Sequence, residues 1–417
     1  MKLYAAVALG LVLGLLLGLV ASVSGSPALI AFAEGLEPLG TAFVDLLKMV
    51  VIPLVVAIIF LGVAGLGDLS RLGKLGSLTL LFFAATSALG VLIGMGVMQL
   101  LLPLASEAAA QAVGGATAEA PVLPGPLEFL LGLIPSNPFQ VAAEGALLPL
   151  IVFTILFAAA AGALPRPDRD RLLDLASSIT AALIKLVGWI LWLAPVGVFA
   201  LAAPVTARAG WAMLQSLGAF ILAVLLGLLL FVAAIYMPAI RFLGGMSALK
   251  FLKGSLNPII IALSTSSTAV TVPAMIEACD KELGISRPVT SFVIPLGAGI
   301  GRMGTALFQG AGIVFLAWLF GVPLPVTGIG GAVLATFIVS FTVAGIPAGG
   351  VVSLAPALGT VGVPLDGLGV LLGVDRIPDM ARTATNVTGI LAAAVVIDRW
   401  VGAPAASPAV EEETAAS

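Results

Sequence analysis

The side chains best suited to bind a charged ligand lie together near the C-terminus of the chain. They are spaced at i, i+4, i+7, i+8 and i+11 and comprise Asp375, Asp379, Arg382, Thr383 and Asn386. On a helix this spacing stacks all five side chains on one face. A guanidinium fork matches a carboxylate bidentately, and an ionised Asp accepts from an ammonium group. An anion site and a cation site about one helical turn apart suit a zwitterion that has a second carboxylate.

The same spacing also allows a purely structural interpretation. Asp379 with Arg382, or Asp375 with Arg376, could form an internal ion-pair ladder that serves only helix assembly. Charges inside a bilayer cost about 2.5–3.5 kcal/mol each on insertion scales, so buried charges are functional hypotheses by default. The spacing alone leaves both interpretations open.

A second unusual feature is the apolar segment Pro295–Thr305, which holds four glycines within eight residues. A helix unwound there would offer backbone carbonyls to a cation or allow close approach of a substrate. A glycine-rich packing seam is the alternative, and Arg302 in the middle of the segment disfavours it. Lys48 and Lys185 are the other charged residues that fall within apolar stretches.

The composition predicts the class of protein. Of 417 residues, 60% are hydrophobic and only 9% are charged, whereas soluble domains carry about 25% charged residues. Apolar runs of roughly 20 residues, enough to cross a hydrocarbon core of about 30 Å, recur along the chain, so we expect one all-α polytopic membrane domain. A single cysteine and no histidine argue against a metal centre, no cofactor is expected, and no dense basic stripe points to nucleic acid.

The apolar runs predict eight spans, with boundaries soft by several residues. They lie at about 4–24, 41–66, 77–104, 127–164 (broken), 176–205, 217–240, 288–320 and 366–401. The first run is longer than a signal-peptide core and is interpreted as a spanning helix. The stretch 105–125 is predicted to be an external loop, and 402–417 a disordered polar tail.

Two further apolar segments, at about 255–276 and 326–358, are each interrupted midway, at Ser264–Thr268 and Ala344–Gly350. Irregular backbone at membrane depth is tolerated only where protein or a water-filled cavity covers it, and paired interrupted segments point to a transporter binding site. A kinked span with a small-residue packing face is the alternative for either segment alone. Because the two flank the charged segments, we favour two re-entrant hairpins.

Basic residues in the short loops predict the orientation of the chain. They fall on alternate loops, as Lys2, Arg71 with Lys74, Arg166 with Arg169 and Arg171, and Arg241 with Lys250 and Lys253. The intervening loops contain almost only Arg208. The positive-inside rule therefore places the clusters and the N-terminus in the cytoplasm.

Together these motifs resemble the dicarboxylate/amino acid:cation symporter family, which includes glutamate and aspartate transporters. The similar segments are Leu46–Val55 (second helix), Ile134–Pro138 (start of the fourth), Ser264–Thr268 and Ala344–Pro347 (the two hairpin tips) and Asp379–Gly389 (the eighth helix). The last is the most specific. The resemblance implies eight transmembrane helices plus two re-entrant helical hairpins in an inverted-repeat, elevator-type transporter of the inner membrane, with both termini cytoplasmic.

The resemblance also implies roles for individual residues. Arg382 would hold the side-chain carboxylate of an acidic amino acid and Asp379 its amino group. The other binding positions would be the polar wall of Thr383, Asn386 and Thr305 and the hairpin-tip backbone at Ser267, Thr268, Ile346 and Gly350. Dicarboxylate-type relatives lack the Asp/Thr combination retained here. Aspartate or glutamate is therefore favoured, with a dicarboxylate or neutral amino acid as the alternative.

The ion sites of the family are where this sequence departs from the pattern. The family motif Asn-Met-Asp-Gly-Thr here reads Gly-Arg-Met-Gly-Thr, and the third-helix tyrosine is Phe83. Ile390 replaces a sodium-binding Asp. The positions concerned are Arg302, Gly299, Gly301, Met303, Asp375, Ser340 and Ile390, with Thr86 and Ser87 matching family hydroxyls. Hard cations need oxygen ligands, so we expect crippled sodium sites.

We hypothesise that the Arg302 guanidinium acts as a tethered cation in place of sodium. Transport would then be proton-coupled, with Asp375 or Asp379 as carrier, or an uncoupled exchange or uniport. A non-transporting binding protein and an anion channel on the same scaffold are further alternatives. An enzyme is disfavoured, because the sequence offers no Ser/His pair and no metal-binding histidine motif.

The resemblance also implies an oligomeric state and a division of the chain into a scaffold and a transport core. It implies a homotrimer in membrane lipid, with a small acidic amino acid as its partner. Residues 1–245 would be mostly scaffold and trimerisation helices, and residues 246–401 the transport core. The helix at about 77–104 would move with the core.

Overall fold

The computed structural model describes residues 2–65, 73–113, 131–132, 134–144, 147–324, 330–331, 333–337 and 349–401. Within these ranges all regular secondary structure is helical, as the composition predicts. The second predicted hairpin tip, with Ile346, lies outside them except for Gly349 and Gly350. Ser340 and the tail 402–417 also lie outside the described residues.

The described part of the N-terminal half is helical. Its α-helices are α1 (Lys2–Ser24), α2 (Pro27–Glu34), α3 (Glu37–Gly65), α4 (Gly73–Leu101), α5 (Glu107–Val113), α6 (Pro138–Ala143), α7 (Leu147–Gly162), α8 (Arg166–Leu191), α9 (Ala194–Ala209) and α10 (Trp211–Phe231). Two π-helical turns prolong α10 as far as Leu243.

The C-terminal half contains shorter helices joined by tight breaks. They are α11 (Ala248–Thr265), α12 (Thr268–Glu277), α13 (Arg287–Ile300), α14 (Met303–Leu319), α15 (Gly349–Val352), α16 (Ala355–Thr360), α17 (Gly367–Val374) and α18 (Arg376–Val401). Leu283, which follows α12, packs on Gly254 near the start of α11. Helices α11 and α12 therefore form an antiparallel hairpin.

Five helical stretches among the described residues are long and apolar enough to cross a membrane. They are Lys74–Leu104, Arg166–Ile190, Trp211–Leu243, Arg287–Leu319 and Arg376–Val401. In the most apolar part of Arg287–Leu319, 94% of the residues are buried by protein, against 12% for Arg166–Ile190. The stretch that contains α13 and α14 is therefore at the centre of the bundle, where polar groups can be kept away from lipid.

Close packing of α4 against α14 depends on glycines. A Cβ added to Gly94 would lie 2.0 Å from the carbonyl oxygen of Leu307, and one added to Gly310 would lie 2.3 Å from that of Val91. Both values are far below any normal contact. Small residues let helix backbones approach in this way inside membranes, where dispersion contacts stabilise helix association.

Glycines also allow α1 to pack closely against α9. Gly10, Gly14 and Gly18 are spaced by four residues and face the backbone of α9, where an added Cβ would lie 2.2 to 2.7 Å from a carbonyl oxygen. Helix α3 packs against α7, α8 and α9. These helices form one group in the N-terminal half.

Helix α10 belongs to a different packing group. It contacts α4, α14 and α18, and α18 in turn contacts α11, α13 and α14. The sequence interpretation placed the helix at about 217–240 with the scaffold, whereas its packing partners are α4 and the C-terminal helices. Helix α10 also contacts α9, although less extensively than α4. The division at residue 245 stays a prediction.

Three boundaries predicted from the sequence are wrong. The span at 176–205 is two helices, because α8 ends at Leu191 and α9 begins at Ala194. Pro195 suits the first turn of a helix but cannot donate the hydrogen bond that would continue α8. The predicted loop at 105–125 contains α5, and the last span is divided at Asp375 between α17 and α18.

The glycine contacts of α4 can be tested with a matched pair of variants. Gly94→Ala should destabilise the protein by about 1–3 kcal/mol, because the new methyl group overlaps the Leu307 carbonyl. Gly96→Ala on the same helix should be neutral or stabilising by up to about 1 kcal/mol, since no atom lies within 4 Å of the added Cβ. Thermal unfolding in detergent, followed by tryptophan fluorescence, measures both. Equal unfolding midpoints for the two variants would contradict the packing described here.

Candidate functional site

The tip of the first hairpin is a two-residue turn between helix ends. Ser266 has a positive φ of 51°, and the Ser267 hydroxyl caps α12 by accepting from the Val270 amide at 3.4 Å. The predicted interruption at Ser264–Thr268 is thereby confirmed. Arg376, at the start of α18, donates through Nη1 to the Ser266 hydroxyl at 3.0 Å. The tip is therefore held against the last helix.

The predicted interruption between residues 295 and 305 is confined to Gly301 and Arg302. The side chain of Asn386 completes the first turn of α14 from a neighbouring helix. Its Oδ1 accepts from the Gly304 amide at 2.7 Å and the Thr305 amide at 3.4 Å, and its Nδ2 donates to the Thr305 hydroxyl at 3.2 Å. These amides belong to the N–H groups that a helix cannot satisfy internally.

Arg302 connects the helix break to the first hairpin. Its Nη1 donates to the Thr268 hydroxyl at 2.9 Å, and its Nη2 to the Ala298 carbonyl in the last turn of α13 at 3.2 Å. The side chain is buried, with 7% of the residue surface exposed. A cation thus lies at the C-terminal end of α13, where the helix dipole and the unpaired carbonyls are negative.

Arg382 lies at the centre of an ion-pair triad. Its Nη1 donates to Asp375 Oδ1 at 2.6 Å and its Nη2 to Asp375 Oδ2 at 3.1 Å, so the pair is bidentate. The same Nη2 donates to Asp379 Oδ1 at 2.8 Å. The ladder between Asp379 and Arg382 that the spacing allowed is therefore present, and Asp375 pairs with Arg382 as well as lying beside Arg376.

Two further groups lie against the Arg382 guanidinium. The Phe308 ring centroid is 4.5 Å from Cζ, a cation–π contact. A Cβ on Gly350 would lie 2.8 Å from Cζ, so a larger residue at this position of α15 would require the guanidinium to shift. The Gly350 carbonyl accepts from Gln309 Nε2 at 3.3 Å, and Gln309 also donates to the Ser353 hydroxyl at 2.8 Å. Helix α14 therefore positions both α15 and the guanidinium.

Four charged side chains are buried among the described residues, and all four are at this site. They are Arg302, Asp375, Asp379 and Arg382, each less than 10% exposed. Their formal charges sum to zero. Desolvating a single charge costs several kcal/mol, so matched charges of this kind are the form in which ionic groups persist inside proteins.

Two of the predicted ion-site positions, Gly301 and Ile390, lie in apolar packing. Ile390 and the Phe83 ring lie against Gly297, and Ile390 also lies against Gly301. The Thr86 hydroxyl donates to the Phe82 carbonyl of its own helix at 2.6 Å. The aliphatic side chain of Ile390 provides no oxygen at a position where the family pattern has a carboxylate. The apolar packing at Gly297 and Gly301 therefore offers a hard cation no side-chain ligand.

The structure unites most of the predicted binding residues. They form three hydrogen-bonded groups, which are Arg382 with Asp379, Asn386 with Thr305, and Arg302 with Thr268. Thr383, Met303 and Ser87 are buried, whereas Gly299 is exposed. Phe308 and Gln309 were missed by the sequence interpretation. Their positions three and four residues after Thr305 place them one turn further along α14, which was the available signal.

A profile of the sodium:dicarboxylate symporter family matches residues 3–400. The chain belongs to this family. Its relatives include the proton/glutamate-aspartate symporter of Escherichia coli K12, which is 34% identical over 88% of this chain and 85% of the relative. The proton/sodium-glutamate symport protein of Bacillus subtilis 168 is 34% identical over 91% of this chain and 88% of the relative.

Other relatives bear a different substrate in their names. The C4-dicarboxylate transport protein of Anaeromyxobacter sp. strain K is 32% identical over 89% of this chain and 85% of the relative. Family and relatives are transporters rather than enzymes, and with the apolar helices they make this chain an integral membrane protein. The family resemblance inferred from the motifs is thus confirmed, and the site described above is a candidate substrate site.

The contribution of Asn386 to the helix break can be measured. Asn386→Ala should destabilise the protein by about 1–3 kcal/mol, because it leaves the buried Gly304 amide without an acceptor. Thr388→Ala is the matched control, since that hydroxyl donates only to the Ala384 carbonyl of its own helix in the contacts seen here. Thermal unfolding in detergent compares the two. A loss at Thr388 as large as that at Asn386 would contradict the capping role.

Proposed function

We propose that the protein is a secondary transporter of acidic amino acids, aspartate or glutamate, across the cytoplasmic membrane. The observation that carries the proposal is the buried triad, in which the Arg382 fork already holds a carboxylate in bidentate geometry beside the Asp379 carboxylate. A substrate carboxylate would take the fork, and a substrate ammonium group would pair with Asp379. Movement of the site between two faces of the membrane would give alternating access.

A C4-dicarboxylate transporter is the second candidate, favoured by relatives named for that activity. Both substrates offer a carboxylate to Arg382. Only the amino acid offers a cation to Asp379, and a dicarboxylate would bring like charge next to that carboxylate. Asp379 therefore favours the amino acid.

Transport is proposed to be independent of sodium. The Arg302 guanidinium supplies a fixed positive charge at the helix break and bonds the Ala298 carbonyl there. Ile390 and Phe83 pack where oxygen ligands would be needed. Uptake would then be coupled to protons, or would proceed by exchange.

The architecture proposed for this function has eight spanning helices and two re-entrant hairpins, with both termini in the cytoplasm. The subunits form a homotrimer through the group of helices that includes α3 and α9. The moving unit consists of α4, α10 and the C-terminal helices. Within it α4, α10, α14 and α18 pack on one another, and α17 also packs on α9. Assigning α10 to the moving unit follows its contacts and revises the division at residue 245.

Sodium independence predicts a specific result in liposomes. Purified protein should take up radiolabelled aspartate or glutamate equally well when choline replaces sodium, because no sodium ion is needed to complete the site. Inside-alkaline vesicles and vesicles preloaded with substrate provide the driving force. Strict dependence on sodium would refute the tethered-cation role of Arg302. Binding without uptake would instead favour a binding protein, and current without stoichiometric uptake an anion channel.

Removing the guanidinium fork should abolish substrate recognition. Arg382→Ala is expected to weaken binding of aspartate and glutamate at least 100-fold, since a buried charged pair is lost, about 3 kcal/mol or more. A thermal-shift titration with acidic, neutral and dicarboxylate ligands measures binding through the stabilisation of the folded state. Arg287→Ala, at an exposed arginine of the same half, is the matched control. Unchanged affinity in Arg382→Ala would refute the assignment.

A further inference from the structure

Asp375 accepts hydrogen bonds from the two terminal nitrogens of Arg382 that would bind a substrate carboxylate. Its two oxygens take Nη1 and Nη2 of the same guanidinium edge, at 2.6 and 3.1 Å. Phe308 and Gly350 lie against the guanidinium as well. Arg382 Nη2 also donates to Asp379 Oδ1 at 2.8 Å, so the side edge of the guanidinium is shared with Asp379. A substrate carboxylate that takes the terminal edge therefore displaces Asp375.

The net charge of the site determines whether a proton must bind when substrate displaces Asp375 from Arg382. Arg302 and Arg382 carry two positive charges, and Asp375 and Asp379 carry two negative charges, so the buried set is neutral. An acidic amino acid adds one net negative charge. Because an unmatched charge in a protein interior costs several kcal/mol, the loaded site is neutral again only if it also takes up one proton.

Asp375 is the buried group whose hydrogen bonds change most when substrate binds. It loses both hydrogen bonds to Arg382, whereas Asp379 gains an ammonium partner. The charges that act on Asp375 are those of Arg382, Asp379 and Arg376. The first hairpin tip brings only hydroxyl groups, the helix break brings Arg302, and the chain from Met303 to Leu365 contains no ionisable side chain. Asp379 is the other buried carboxylate at the site, and the substrate ammonium group engages it, which leaves Asp375 to accept the proton.

We propose that Asp375 is an internal competitor for the substrate carboxylate and carries the coupling proton when it is displaced. In this step the two N–H···O bonds from Arg382 to Asp375 break and two form to the substrate carboxylate. A proton from water on the loading side binds one Asp375 oxygen. On the other face of the membrane, substrate leaves, the proton is released to water, and Asp375 pairs with Arg382 again. This inference rests on the proposed function and specifies its coupling.

The cycle is electroneutral and couples about one proton to each substrate. The buried side chains have zero net charge when the site is empty, and the site is also neutral when substrate and proton are bound. Asp375→Asn changes this in a defined way. In this variant the buried side chains carry one net positive charge without substrate and zero net charge with substrate bound. Each cycle therefore moves one net negative charge inward with no coupled proton.

The test uses purified full-length protein in proteoliposomes with labelled glutamate or aspartate. In the natural protein, a proton gradient should drive accumulation, and a membrane potential set with potassium and valinomycin should have no effect. In Asp375→Asn, the proton gradient should no longer drive accumulation, and an inside-positive potential should drive it instead. Substrate should also bind more tightly to the variant, because an amide competes less well for Arg382. Asp375→Glu should restore proton coupling.

Asp280→Asn is the matched control, because this carboxylate is exposed just after α12. It should behave as the natural protein does. A proton-to-substrate ratio that is the same in Asp375→Asn and the natural protein would overturn the inference while leaving the proposed function intact. Absence of binding and uptake in the natural protein would refute the proposed function itself.

A second measurement does not depend on the folding of a variant. Calorimetric titration of the natural protein in two buffers of different ionisation enthalpy measures proton uptake on binding. About one proton should be taken up per glutamate near neutral pH, since the displaced Asp375 is then protonated in its buried site. Binding without proton uptake would refute the role of Asp375.

Discussion

The structure depends on one requirement. A guanidinium buried among apolar helices must have partners beside it that balance its charge and accept its hydrogen bonds. Neither lipid nor hydrocarbon side chains can satisfy its charge or its N–H groups. Arg382 meets this requirement through two carboxylates of its own stretch of chain and one aromatic ring. The polar face of α18 must therefore point inward, and α14 must run beside it to present Phe308. The central position of these two helices follows from this one side chain.

The break between α13 and α14 poses a similar problem for the backbone. Interrupting a helix leaves carbonyls at one end and amides at the other without partners. Arg302 supplies a donor to a carbonyl of α13, and Asn386 supplies an acceptor to the amides of α14. One cation and one amide group thus stabilise the interruption from opposite sides.

Several of these features could be predicted from the sequence because they are local. Four glycines with an arginine among them indicated a broken helix, and the run of serines and threonines indicated a turn between helices. The i, i+4, i+7 spacing placed Asp375, Asp379 and Arg382 on one face. The spacing left the pairing open, because an arginine with two acidic residues three and seven positions before it along the chain can pair with one or with both. The structure contains both pairs.

The features that escaped prediction depend on contacts between distant parts of the chain. Phe308 and Gln309 lie in an apolar helix, and nothing local distinguishes them from core residues. The end of α8 was hidden by Trp192 and Leu193, which suit a membrane helix as well as a turn. Only Pro195 marked the boundary, and a proline inside an apolar run also occurs in unbroken membrane helices, as Pro53 does in α3.

The Asn386 side chain has a mechanical consequence. Its three hydrogen bonds join the first turn of α14 to the middle of α18, so the two helices cannot change their mutual angle without breaking them. An interrupted helix is commonly a place where a chain can bend. Here it is a rigid joint, which keeps Phe308 in register with Arg382. Any motion of the proposed transport cycle must then take place at the outer surface of this unit, not at its centre.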